Sequence, residues 1–197
     1  MKTLLKLLFI VFCASLILAC TKSDHFLEEP NDENLKSGIV LVTVPFIVEG
    51  ADAEYTILEI DEEYCGLERP FHIAAEASGT APHLGKYTSY FDFCAGDDGS
   101  WGYEGEPIGT FVAANGDELI VSAWGQSGPP NEDDPPHIIE RFEALFTILG
   151  GTGRFDGATG GGIYSGYNFI EKGEFSTYAL WDGEMILVKG KRKGKSK

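Results

Sequence analysis

Residues 150–166 read GGTGRFDGATGGGIYSG, with eight glycines in one short stretch. A phosphate-binding loop would continue into Gly-Lys-Ser/Thr, and GTGRFDG does not. A dinucleotide fingerprint would open a helix inside a βαβ unit, and no helical periodicity follows here. Glycines among strands instead mark bends, bulges and close backbone approach, the features a small closed barrel needs at its corners. The flanks agree. Residues 138–149 place Phe142, Ala144, Phe146 and Ile148 on one face of a strand. Arg141, Glu143 and Thr147 fall on the other face, together with Leu145 and Leu149. Beyond the glycines, residues 162–170, 174–180 and 184–188 read as further strands.

Upstream the pattern continues. Residues 39–49, 54–61, 71–77, 86–94, 108–114 and 118–124 are strand candidates. In residues 86–94, Tyr87, Ser89, Phe91 and Phe93 share one face, and Thr88, Tyr90, Asp92 and Cys94 the other. Asn115-Gly116 is a strong hairpin signal, because both residues tolerate positive φ. Residues 127–136 (SGPPNEDDPP) form a loop by composition, since proline cannot donate to a ladder. No segment shows helical periodicity. Evenly spaced strands split by Gly, Asn and Pro clusters predict an all-β sandwich or barrel.

The stretch 146–160, FTILGGTGRFDGATG, resembles the GGTGRFxGATG signature of bacterial exported proteins similar to the allene oxide cyclase and dirigent barrels of plants. Residues 79–88 (GTAPHLGKYT) resemble the GxAxHLGKxT segment of that group, and residues 113–119 (AANGDEL) its AANGDxL hairpin. The resemblance implies a small antiparallel barrel of about eight strands with a calycin-like interior, here over residues 38–188. Outside the glycine motif, no catalytic residue of a cyclase or dirigent protein can be matched onto this chain, so none is carried over.

The N-terminus indicates a compartment. Lys2 and Lys6 precede an apolar run that ends in Ile17-Leu18-Ala19-Cys20. The run is too short for a bilayer span, which takes about 20 apolar residues, and suits a signal h-region. Its end resembles a lipobox. Residues 1–19 are therefore expected to be a lipoprotein signal and Cys20 the site of lipid attachment. Thr21 rather than Asp follows, which suits transfer to the outer membrane. Residues 20–37 are polar and acidic, the composition of a flexible tether. Residues 189–197 form a basic tail, suited either to anionic headgroups or to the acidic body.

The formal charge is −16. Residues 20–188 hold seven basic and thirty-one acidic side chains, a balance of −24. Such a body repels phosphate backbones, so nucleic acid is excluded as its partner. Of four cysteines, Cys13 leaves with the signal and Cys20 is lipidated. In an exported chain the residual pair, Cys65 and Cys94, favours a disulfide over two separate buried thiols.

Chemistry-bearing motifs are sparse. His25 falls in the tether, His72 in a strand, His83 in a turn and His137 beside the Pro-rich loop. None has metal-ligand spacing, no cofactor motif is present, and no Gly-x-Ser-x-Gly elbow occurs. The acidic runs 61–63, 97–98 and 132–134 lack the spacing of a calcium loop. Two functions are compatible with these features. One is a non-catalytic envelope lipoprotein whose barrel binds a small apolar ligand or a protein partner. Phe91, Phe93, Phe142 and Phe146 would then line a cavity, unless they simply fill the interior. The other is a cyclase- or dirigent-like enzyme that shapes a reactive ligand. It requires at least two titratable or amide side chains facing the interior, with His72, Tyr90 and Trp124 as candidates.

Overall fold

The computed structural model describes residues 38–51 and 54–190. The expected signal, Cys20, the expected tether and residues 191–197 lie outside the described residues. Ten strands follow in order: β1 (Ile39–Ala51), β2 (Glu54–Ile60), β3 (Phe71–Ala81), β4 (Gly85–Ala95), β5 (Ser100–Trp101), β6 (Pro107–Ala113), β7 (Glu118–Gly128), β8 (Ile138–Gly151), β9 (Thr159–Glu171) and β10 (Glu174–Gly190). One helical turn, α1 (Glu62–Cys65), links β2 to β3. A 3-10 turn, Gly153–Phe155, follows β8.

All ladders are antiparallel and join into one sheet, in the order β1-β10-β9-β8-β7-β5-β4-β3-β2, with β6 wedged between β4 and β7. The expectation of an all-β antiparallel fold holds; the count of about eight strands does not. The ten segments read from alternation differ from the ten strands in two places. β5 is two residues long, too short to show alternation, yet it pairs with both β4 and β7. Conversely, residues 174–180 and 184–188 are one strand. Gly183 lies opposite Gly162, and a Cβ at either would fall 2.2 Å from a backbone oxygen across the pair. The absence of side chains there lets the strands approach closely and run on unbroken.

Alternation settles which face is inside. Phe142, Ala144, Phe146 and Ile148 of β8 are buried, while Leu145 on the other face is exposed. On β4, Tyr87 and Ser89 are buried, and Phe91 and Phe93 pack against the core. The sheet curls around this face. Phe46 of β1 meets Phe111 of β6 and Phe146 of β8 at 5.8 and 5.6 Å between ring centroids. Phe91 of β4 stacks on Trp181 of β10 at 5.6 Å. These strands are far apart in the sheet order, so their side chains meet only because the sheet folds back on itself. Edge-to-face and stacked ring pairs of this kind contribute roughly 0.5–1.5 kcal/mol each beyond their buried area.

The two ends of the curled sheet differ. At one end the three sequence motifs converge. Arg154 Nη2 donates to the Leu84 carbonyl at 2.8 Å, joining the glycine stretch to the His-Leu-Gly-Lys turn. The Arg154 backbone N–H donates to Asp117 Oδ2 at 3.1 Å, joining it to the Asn-Gly hairpin. The Ala114 N–H donates to the Lys86 carbonyl at 2.9 Å, which closes the triangle. Gly153 has φ +56°, and a Cβ there would sit 1.6 Å from Asp117 Oδ1, so only glycine fits. Leu84, Phe155 and Ala158 are buried beneath the turns and close this end. His83 shapes the β3–β4 turn through a left-handed backbone, φ 64°.

Candidate functional site

The opposite end is open. The strand ends there are Phe71 of β3, Ala95 of β4, Gly128 of β7, Ile138 of β8 and Glu174 of β10. Between them lies a cavity of about 270 Å³, walled mainly by apolar side chains, including Phe71, Phe93, Trp101, Phe142, Tyr164 and Phe175. The rings hold one another in place. Trp101 packs against Phe93 at 5.4 Å, Tyr164 at 5.8 Å and Phe142 at 6.3 Å. Tyr164 in turn stacks on Trp181 at 4.1 Å, which ties the cavity floor to the ring cluster of the core. The four phenylalanines of the sequence analysis thus divide. Phe91 and Phe146 pack within the core, and Phe93 and Phe142 line the cavity.

Besides Ser127, the cavity is lined by two polar side chains of one cross-strand row, Glu140 and Asn168. Glu140 of β8 lies opposite Asn168 of β9, which lies opposite Thr177 of β10. Thr177 Oγ1 donates to Asn168 Oδ1 at 2.6 Å, and Asn168 Nδ2 donates to Glu140 Oε2 at 2.5 Å. Thr177 is fully buried, so the row is anchored from the inside outward. Glu140 and Asn168 both line the cavity. An amide held at both ends has one orientation, and it fixes the carboxyl beside it. None of the three is among the candidates that the sequence offers. Parity offered a signal: Glu140 is in step with Phe142, Ala144, Phe146 and Ile148, so a carboxyl stands on an otherwise apolar face.

The candidates named from sequence lie elsewhere. His72, Tyr90 and Trp124 do not line the cavity. His72 is in step with Ala74 and Glu76 on the outer face of β3, because Ile73 and Ala75 take the inner positions. Its Nε2 lies 2.9 Å from Asp92 Oδ1, and Tyr64 donates its hydroxyl to the same oxygen at 3.1 Å. The Tyr64 ring lies over His72 at 4.6 Å, and the hydrogen bond to Asp92 pushes the Tyr64 phenol above its ordinary range. α1 carries Tyr64 to this place. Asp61 caps the turn by accepting from the Tyr64 N–H at 2.9 Å, and the Cys65–Cys94 disulfide fastens the turn to β4 with Cα atoms 5.5 Å apart. Tyr90 is on the same outer face, about half exposed. Trp124 lies opposite Leu145, on the outer face of β7 and β8. A trough of about 690 Å³ runs beside Tyr64, Tyr90 and Asp92. It is larger than the end cavity, but its walls are more polar and lack the interlocked rings that line the end cavity.

Asp61, Asp98 and Asp134, one from each acidic run, serve structure. Asp98 accepts from the Ser100 N–H at 2.9 Å, and the hydrogen bonds from Ser100 hold its carboxyl below the usual carboxylate range. Asp134 pairs with Arg141 through Nε at 2.6 Å and Nη2 at 2.5 Å, and accepts from the Asn131 N–H at 2.7 Å. The Arg141 hydrogen bond lowers the Asp134 carboxyl in the same way and pins the Pro-rich loop to β8. Among the described residues, no three His, Cys, Asp or Glu side chains are grouped to hold a metal ion. Compared with known proteins, the chain matches no family model, no curated protein and no solved structure.

Proposed function

We propose that this chain is a membrane-anchored envelope lipoprotein, lipidated at Cys20 and carried to the outer membrane. In this reading its sheet closes into a calycin-like barrel of the allene oxide cyclase and dirigent type, and the barrel binds a small apolar ligand at its open end. The observation that carries the binding reading is the cavity itself: interlocked rings with one anchored polar row. Apolar concavities with a few fixed polar groups are the usual form of small-molecule sites. A disulfide between Cys65 and Cys94 suits an oxidising compartment, in keeping with the signal-like N-terminus.

Native mass spectrometry of the full-length protein, extracted from the envelope of its own source, tests the binding. A discrete adduct is expected, and it should be absent from Ala95→Phe, which fills the cavity wall. A bare mass in the unaltered chain overturns ligand binding and turns the search to a protein partner. The anchor has its own test: Cys20→Ser should move the chain from the membrane to the soluble fraction.

One observation favours the catalytic reading as well. Glu140 and Asn168 supply the two interior titratable or amide groups that a cyclase-like site requires. In that case the bound molecule changes chemically on incubation with the protein, and remains unchanged with Glu140→Gln.

A further inference from the structure

The end cavity has a sign. Glu140 brings the one carboxyl group among its described lining residues, and no basic side chain accompanies it. The carboxyl is held by Asn168, and Asn168 is held by buried Thr177. Setting a carboxyl and an amide among aromatic rings contributes little to stability, because desolvation offsets what the hydrogen bonds return. An ionised carboxylate only accepts hydrogen bonds, so it offers a ligand an acceptor and a negative charge. The rings act in the same direction, since aromatic faces carry the negative end of a quadrupole and attract cations. The surplus of acidic over basic side chains in residues 20–188 adds a long-range field of the same sign. A ligand ending in a carboxylate meets repulsion on all three counts.

We infer that the cavity selects small organic cations: a protonated amine joined to an aromatic or aliphatic body. The ammonium group is directed at Glu140 and the body lies among Phe93, Trp101, Phe142 and Tyr164. This deepens the proposed function, giving the apolar ligand a charged end, and rests on the reading that the cavity is a ligand site.

Three probes of matched size separate the two ideas. Phenethylamine, propylbenzene and hydrocinnamate differ mainly in charge. Their affinities for the full-length chain are measured by titration of tryptophan fluorescence, since Trp101 lines the cavity. The amine should bind about tenfold or more tighter than the hydrocarbon, the scale of a desolvated cation–π contact combined with a charge-assisted hydrogen bond, and hydrocinnamate should bind weakest. In Glu140→Gln the ratio of amine to hydrocarbon affinity should fall at least about fivefold, which removes most of that advantage. Equal affinities, or a preference for hydrocinnamate, would overturn the cation inference and leave the ligand site standing. Failure of all three probes to bind the unaltered chain would overturn both. The ranking in the unaltered chain decides the matter even if Glu140→Gln does not fold.

Discussion

The two ends of one curled sheet solve opposite problems. At the turn end, the polar groups of the three motifs are partnered within the chain. Asp117 accepts from the Asn115 side chain and the Arg154 backbone, Arg154 donates to Leu84, and the Glu118 N–H donates to Thr152. Phe155 and Leu84 fill the space beneath. At the open end, the anchored row stops at Glu140, on the wall of a cavity that no side chain fills. Polar chemistry spent on locking turns stabilises the fold. Polar chemistry set among unfilled rings does not, and this difference separates scaffold from site in a molecule whose sequence motifs all lie at the scaffold end.

If the comparison is right, substitutions at the turn end cost stability and those in the polar row do not. The largest effect is expected for Phe155→Ala. It leaves a void under the turns, and urea unfolding should show a loss of about 3–5 kcal/mol. The amine preference of the folded protein should persist. If it vanished, the two ends would not be independent. Removing the disulfide, with Cys65→Ala and Cys94→Ala together, should cost about 2–4 kcal/mol by the same measurement, through the freed loop between α1 and β4. Gly153→Ala should cost about 1–3 kcal/mol, since it forces an L side chain into a left-handed backbone against Asp117. Wild-type stability in that variant would remove the glycine from the account of the turn end.

Smaller effects sharpen the contrast. Replacing the whole row, with Glu140→Leu, Asn168→Leu and Thr177→Val together, should change stability by less than about 1 kcal/mol, because apolar side chains of similar shape remove the desolvation cost along with both hydrogen bonds and leave no buried donor unpaired. A loss comparable to that of Phe155→Ala would make the row a scaffold element after all. The smallest effect is in pH. The Asp134 carboxyl is lowered by its hydrogen bond from Arg141. A depressed carboxylate contributes fully above its unfolded pKa and loses that contribution as pH falls through the folded value. Hydrogen exchange at the Asn131 amide should therefore stay protected at neutral pH. The protection should fall only at a pH below the unperturbed aspartate value of about 3.9, and at higher pH in Arg141→Gln.

Much of this architecture was legible in the chain. Period-two alternation identified the inner faces of β4 and β8, since a strand puts successive side chains on opposite sides. Asn115-Gly116 announced its hairpin. Cys65 and Cys94 were the pair left after the N-terminal cysteines were set aside, and they are bonded. The glycine stretch was readable as backbone geometry rather than phosphate chemistry, and Gly153 and the Gly162–Gly183 pair show why. β5 escaped notice, and with it Trp101, because two residues carry no period. His72 was offered as an interior group, but its strand parity places it outside, beside Asp92.

The sequence by itself determined the strand content, the inward faces of individual strands and the turns, because each depends on residues only a few positions apart. Only the tertiary structure decided which strands are neighbours, which end is closed, and that Glu140, Asn168 and Thr177 stand in one row. Asn168 is 28 residues from Glu140 and nine from Thr177. What brings them together is the register of β8, β9 and β10, which is set by packing across the whole inner face and not by any local run of residues.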